Sequence, residues 1–113
     1  MSFVSKSACL ALFAVLTLSI AQAQISTGTI VGVVRDSAGG VVPNAAVTLT
    51  QIATGVTRQT RTSDQGTFNA QFMALGTYAI TVSATGFRTQ SLTGITLQID
   101  QTANLNIVLA VGS

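Results

Sequence analysis

The chain has 113 residues, a formal charge of +2, no histidine, no tryptophan and one cysteine, and only 7% of its residues are charged. That composition excludes the clustered cations of nucleic-acid recognition, the histidine and cysteine sets of soft-metal sites, and a disulfide framework. The length allows one small domain.

In chain order, residues 1–6 carry a single cation, Lys6, and residues 7–20 form an uncharged run rich in Ala, Leu, Val and Phe. Ala21-Gln22-Ala23 then places small residues where signal peptidase reads them. The run is shorter than the ~20 apolar residues needed to cross a bilayer. Residues 1–23 therefore read as a signal peptide cleaved after Ala23, and residues 24–113 as the mature domain. Cys9 stands at the start of the apolar run instead of behind it, so it reads as a small hydrophobe and not as a lipid attachment site.

The remainder holds no Lys, Glu, Cys, His or Trp; Arg35, Arg58, Arg61 and Arg88 face Asp36, Asp64 and Asp100. Its 16 threonines, together with Val and Ile, favour strands. Apolar residues recur at every second position, and no window keeps a helical period. A first strand over 29–35 has Ile30, Gly32 and Val34 on one face. Residues 36–44 form a loop through Asp36, Gly39-Gly40 and Pro43. A second strand turns Ala45, Val47 and Leu49 inward and Ala46, Thr48 and Thr50 outward.

After a turn at 53–55, a polar third strand over 56–62 reads as an edge. Ser63-Asp64-Gln65-Gly66 is a tight turn. Phe68, Ala70 and Phe72 then alternate inward along a fourth strand, and Leu75 plugs one end of the core in the connection to a fifth. There Tyr78, Ile80, Val82 and Ala84 point inward, so residues 64–87 read as a central hairpin. Phe87 opens a short sixth strand, Ile95, Leu97 and Ile99 form another, and Leu105, Ile107 and Leu109 form the last. Seven or eight short strands with turn chemistry between them predict an all-β, antiparallel β-sandwich.

An ordered set of residues also resembles a known family. Gly32-x-Val34-x-Asp36-x-x-Gly39, Pro43-x-Ala45-x-Val47, Asp64-Gln65-Gly66 followed by Phe68, Leu75-Gly76-x-Tyr78-x-Ile80-x-Val82 and Gly86-Phe87 resemble carboxypeptidase regulatory-like domains. The resemblance runs from Ile30 to Leu109 and implies a transthyretin-like sandwich within the broader group of carbohydrate-binding-like folds. The run Leu105-Asn106-Ile107-Val108-Leu109-Ala110-Val111-Gly112 is similar to the junction behind such a domain at the start of TonB-dependent outer-membrane receptors. It implies a receptor's N-terminal extension, standing alone by truncation or as an independent protein. Its place would be the periplasm or outer membrane of a Gram-negative bacterium, with membrane association only through a receptor barrel.

Catalysis has little to work with. The three aspartates each sit at a turn and read as turn-formers, so no catalytic, cofactor or metal site is expected; calcium at Asp36 and Asp64 lacks a contiguous acidic loop. The histidines on which transthyretin-like hydrolases rely are absent. The aromatics Phe68, Phe72, Tyr78 and Phe87 read as core or strand-end residues, which leaves no platform for a sugar ring. Gly39-Gly40 reads as a turn and not a phosphate loop, since no lysine or helix follows. The expected function is a non-enzymatic accessory domain that presents loops or a sheet edge to a protein partner, with a carbohydrate-binding module as the alternative. Arg58 and Arg61, three apart on one strand, fall on opposite faces and form no joint anion clamp.

Overall fold

The computed structural model describes residues 26–112, so the expected signal peptide lies outside the described residues. Seven strands follow one another: β1 (Thr27–Asp36), β2 (Ala46–Gln51), β3 (Thr57–Arg61), β4 (Thr67–Ala74), β5 (Gly76–Ser83), β6 (Gln90–Leu97) and β7 (Thr102–Leu109). They form a three-stranded sheet in the order β4-β1-β7 and a four-stranded sheet in the order β3-β2-β5-β6. Between the sheets lies one apolar cluster that includes Ile30, Val34, Val47, Leu49, Ile80, Val82, Ile107 and Leu109. The period-2 alternation produces this directly: one face of each strand is apolar and must be covered by the facing sheet.

Two close approaches fix how β4 and the turn before it lie against β1. Gly32 lies under the Phe68 ring, and a Cβ there would fall 2.4 Å from its Cε1, so only glycine lets the ring lie flat on β1. Gly66, with φ of 76°, closes the turn between β3 and β4, and its carbonyl accepts from the Val34 amide at 2.8 Å. Thr62 is the buried polar residue at the point where the chain changes sheets. Its hydroxyl accepts from the Ala45 amide and donates to the Val42 carbonyl, both at 2.7 Å. The side chain thus satisfies two loop backbone groups beside the pairing that the Thr62 backbone itself makes with Asn44 and Ala45.

Several expectations are corrected. β4 and β5 are not a hairpin: they lie in different sheets, and Leu75 alone makes the corner between them. Leu75 is half-buried there, its carbonyl held by the Gln51 amide at 2.7 Å. The sandwich is not wholly antiparallel, because β1 pairs with β7 in parallel from Thr29↔Thr102 to Asp36↔Leu109. The chain leaves β1, builds the second sheet and returns on the other side, and such a crossover brings two strands together with the same sense.

Phe72 is not inward. Gly28 pairs with Met73 and Ile30 with Ala70, so Gln71 and Phe72 together oppose Thr29 alone. This β-bulge slips the alternation by one residue, so that Met73 is buried and Phe72 is 75% exposed with φ of 57°. Phe87 opens no strand; it makes an isolated bridge to Val111. Ile99 is exposed in the β6–β7 turn and takes no part in the core. The expected third strand is an edge, as read from its polarity.

Candidate functional site

Two surfaces carry distinctive chemistry. The first is a trough of about 520 Å³ on the outer face of the three-stranded sheet. Strand register builds it in rows: Val31 lies between Asn69 and Asn104, and Val33 lies between Thr67 and Asn106. The floor is an aliphatic stripe from the central strand, the walls are side-chain amides and a hydroxyl, and Arg61 reaches the rim. Within the described residues these asparagine side chains make no hydrogen bond of their own.

The second surface surrounds the β4 bulge. Phe72 and Val56, the latter 65% exposed, flank a hollow of about 170 Å³ whose deeper wall includes Tyr78 and Arg58. The polar groups around it are committed to the fold. Arg58 reaches from edge strand β3 and donates to the carbonyls of Gln71 at 2.8 Å and Phe72 at 3.4 Å. Gln51 donates to the Leu75 carbonyl and accepts from the Thr54 hydroxyl at 2.9 Å. The Tyr78 hydroxyl donates to the Ala74 carbonyl at 2.6 Å. Burial pushes the Tyr78 hydroxyl above its usual pKa, and the neighbouring Arg58 charge partly opposes that rise. With these donors occupied, the surface offers mainly apolar contact.

A bulky residue with φ above zero stores strain on the order of 1–3 kcal/mol. Phe72 holds that conformation while burying little of its ring, with its carbonyl gripped by Arg58. Packing does not account for the aromatic residue at this position. Its sequence signal was the adjacent pair Phe72-Met73, two apolar residues side by side in an alternating strand.

The other expected residues fall as follows. Phe68 and Tyr78 are buried and Phe87 is half-buried, so three of the four aromatics serve packing and the fourth does not. Asp36 accepts from the amides of Ala38 and Gly40, the local turn bonding expected of it. Asp64 is exposed in the β3–β4 turn, and Asp100 lies in the β6–β7 turn at the opposite end of the sandwich. No group of three His, Cys, Asp or Glu side chains is brought together among the described residues. Arg58 and Arg61 do point to opposite faces, and Arg61 donates to the Asn44 carbonyl at 3.3 Å.

A two-sheet sandwich with a surface aromatic and an amide-lined trough defines a β-sandwich module. Residues 29–110 match the carboxypeptidase regulatory-like domain, and the chain belongs to that family, which is a non-catalytic one. No curated protein matches it in sequence. Among solved structures, the chain is similar to catechol 1,2-dioxygenase from Acinetobacter radioresistens, with a TM-score of 0.65 and 12% identity. That match covers 80% of this chain and 53% of the dioxygenase, so the chain spans about half the length of that enzyme. A candidate carbohydrate binding protein from Bacteroides uniformis matches with a TM-score of 0.62 and 12% identity, over 74% of this chain and 41% of that one. A cohesin–X-dockerin complex from Acetivibrio cellulolyticus matches with a TM-score of 0.55 and 18% identity, over 75% of this chain and 58% of that one. At these identities the likeness is one of fold.

Proposed function

We propose that the chain is an exported, non-catalytic accessory module that binds another protein through the Phe72 end, of the kind that precedes TonB-dependent outer-membrane receptors. The observation that carries this reading is Phe72 itself: an exposed aromatic ring, held out in a left-handed backbone conformation by the Arg58 clamp. Aromatic side chains, Phe included, are enriched at protein interfaces relative to the rest of the surface. The sequence has no His or Glu, and residues 24–113 have no Cys or Lys, which supports the non-enzymatic half of the reading. The resemblance of residues 105–112 to a receptor junction supports the receptor context.

An exposed ring also serves for stacking on sugars, which keeps the carbohydrate reading as the rival. Sugar binding needs free hydrogen-bonding groups beside the ring, however, and Arg58, Gln51 and Tyr78 are already engaged. A photo-crosslinking amino acid placed at Val56 in the native host is the test. A discrete protein adduct in the periplasmic or outer-membrane fraction, lost in Phe72→Ser, is the expected result. Binding to a glycan array that disappears in Phe72→Ser, with no protein adduct, would give the function to the carbohydrate alternative.

A further inference from the structure

A sheet edge leaves backbone donors and acceptors unpaired, and natural sandwiches blunt their edges with charge, bulges or short strands. Among the described residues the edges are β3, β4, β6 and β7. β3 is five residues long and carries Arg58 and Arg61. β4 is bulged at Phe72, and Arg58 occupies the carbonyls of the bulge. β6 has a register shift opposite Ala79, with Gly94 at φ of 76°.

β7 has none of these devices. It is uncharged, lacks proline and stays in register with β1 over eight consecutive residues. The Thr29 amide donates to the Gln101 carbonyl at 2.9 Å, which sets the phase of the parallel ladder. In such a ladder alternate residues bond the same neighbour. Ala103, Leu105 and Ile107 therefore bond β1, and the N–H and C=O groups of Asn104, Asn106 and Val108 face the free side.

The side chains along this seam point to what is missing. β6 and β7 follow each other around the turn at 98–101, and the flanking chain meets again where Phe87 bridges Val111. Between those points each strand pairs away from the other. Leu92 and Ile95 on β6, and Ala103 and Leu105 on β7, are only partly buried, while their counterparts on β5 and β1 are fully covered. The three-stranded sheet is one strand narrower than its partner sheet. Added along β7, one strand would make the sheets equal and cover all four side chains.

We infer that the free edge of β7 accepts an extended segment of another polypeptide. That segment is apolar on the face turned to Leu92 and Ile95, and polar but uncharged on the face beside Asn104 and Asn106. The deficit is one strand wide, which selects a single segment over a second whole sandwich. The inference rests on the chain's being a protein-binding module but uses a surface separate from the Phe72 end, through strand addition.

The probe is a peptide of alternating Thr and Val matched to the 8 residues of β7, with terminal lysines for solubility. It is titrated into the 15N-labelled full chain. Amide shifts confined to β7 and the facing side of β6 are expected. Proline is tolerated where an edge N–H faces solvent, so Asn106→Pro should keep the fold and weaken binding by about tenfold or more. The same peptide N-methylated at alternate residues leaves the protein untouched and should fail to bind. Equal binding by the methylated peptide, or shifts centred on β3 or Phe72, would overturn the inference. So would a concentration-dependent dimer of the unliganded chain through β7. Phe72→Ser should leave this peptide's affinity unchanged, so a failure at the Phe72 end and a failure at β7 are read separately.

Discussion

The two sides of the sandwich are built differently. On the β3–β4 side the chain crosses between sheets at Thr62, whose buried hydroxyl bonds two backbone groups, and Arg58 spans the gap to the carbonyls of Gln71 and Phe72. On the β6–β7 side the contact is held at the two ends, and four half-buried apolar side chains lie between them. One side uses polar side chains to bond backbone groups; the other leaves its ladder bonds open. Closure by side chains removes an edge from association, whereas an open edge keeps it available.

The centre belongs to both sides, and its loss should erase the difference between them. Ile80 is fully buried. Ile80→Ala should cost about 2–5 kcal/mol in urea unfolding, as buried large-to-small changes do. A loss below about 0.5 kcal/mol would mean that β5 does not set the core register.

A more selective change acts on the closed side alone. Thr62→Val keeps the shape but leaves the Ala45 N–H and the Val42 C=O without their partner. A destabilisation of about 1–3 kcal/mol is expected. Hydrogen exchange should speed up first at Ala45, with Leu92 on the open side changing only through global unfolding. Equal local change at both would show that the sides are not independent.

The Phe72 bulge sharpens the comparison from the opposite direction. Because the ring is largely exposed, Phe72→Gly removes little buried area and relieves the left-handed backbone. It should leave stability unchanged or raise it by up to about 1 kcal/mol, after the entropy cost of glycine is subtracted. A drop larger than that would reveal a packing role for the ring. The Val56 crosslink should vanish in the same variant.

The smallest effect is one of pH. Tyr78 has a hydroxyl pKa raised above 10.0 by burial. The unfolded chain therefore loses that proton at lower pH than the folded chain does. The stabilising contribution is complete below pH 10 and declines as pH rises from the unfolded value through the folded one. In Tyr78→Phe the decline attributable to this group should be absent; an unchanged alkaline profile would assign it to other groups.

Strand identity was legible wherever one face is covered. Tyr78, Ile80 and Val82 alternate without interruption, Asp36 turns the chain with its own carboxylate, and the polarity of β3 marks an edge. The bulge at Phe72 was not legible as read, because the inserted residue stands next to Met73 and both are apolar. Alternation counted from Phe68 therefore appears to continue when it has slipped. The corner at Leu75 looks like a hairpin for a similar reason: nothing local tells two adjacent strands whether they share a sheet. The parallel pairing of β1 with β7 depends on the route of the whole chain. The amide trough was missed because its rows come from three strands that are distant in sequence.

That pairing has a kinetic consequence. The first strand of the domain has the last strand as one of its two neighbours, and Ile107 and Leu109 complete the cover over the core. Contacts of such long separation are made late, since the intervening loop must be closed before they contribute. A chain delivered N-terminus first, from a ribosome or through a narrow pore, therefore holds β1 with an incomplete neighbourhood until residues 102–109 have emerged. During that interval it stays extensible enough to be threaded. The final strand acts as the latch, and a chain cut just before Thr102 should remain unfolded however long it is given.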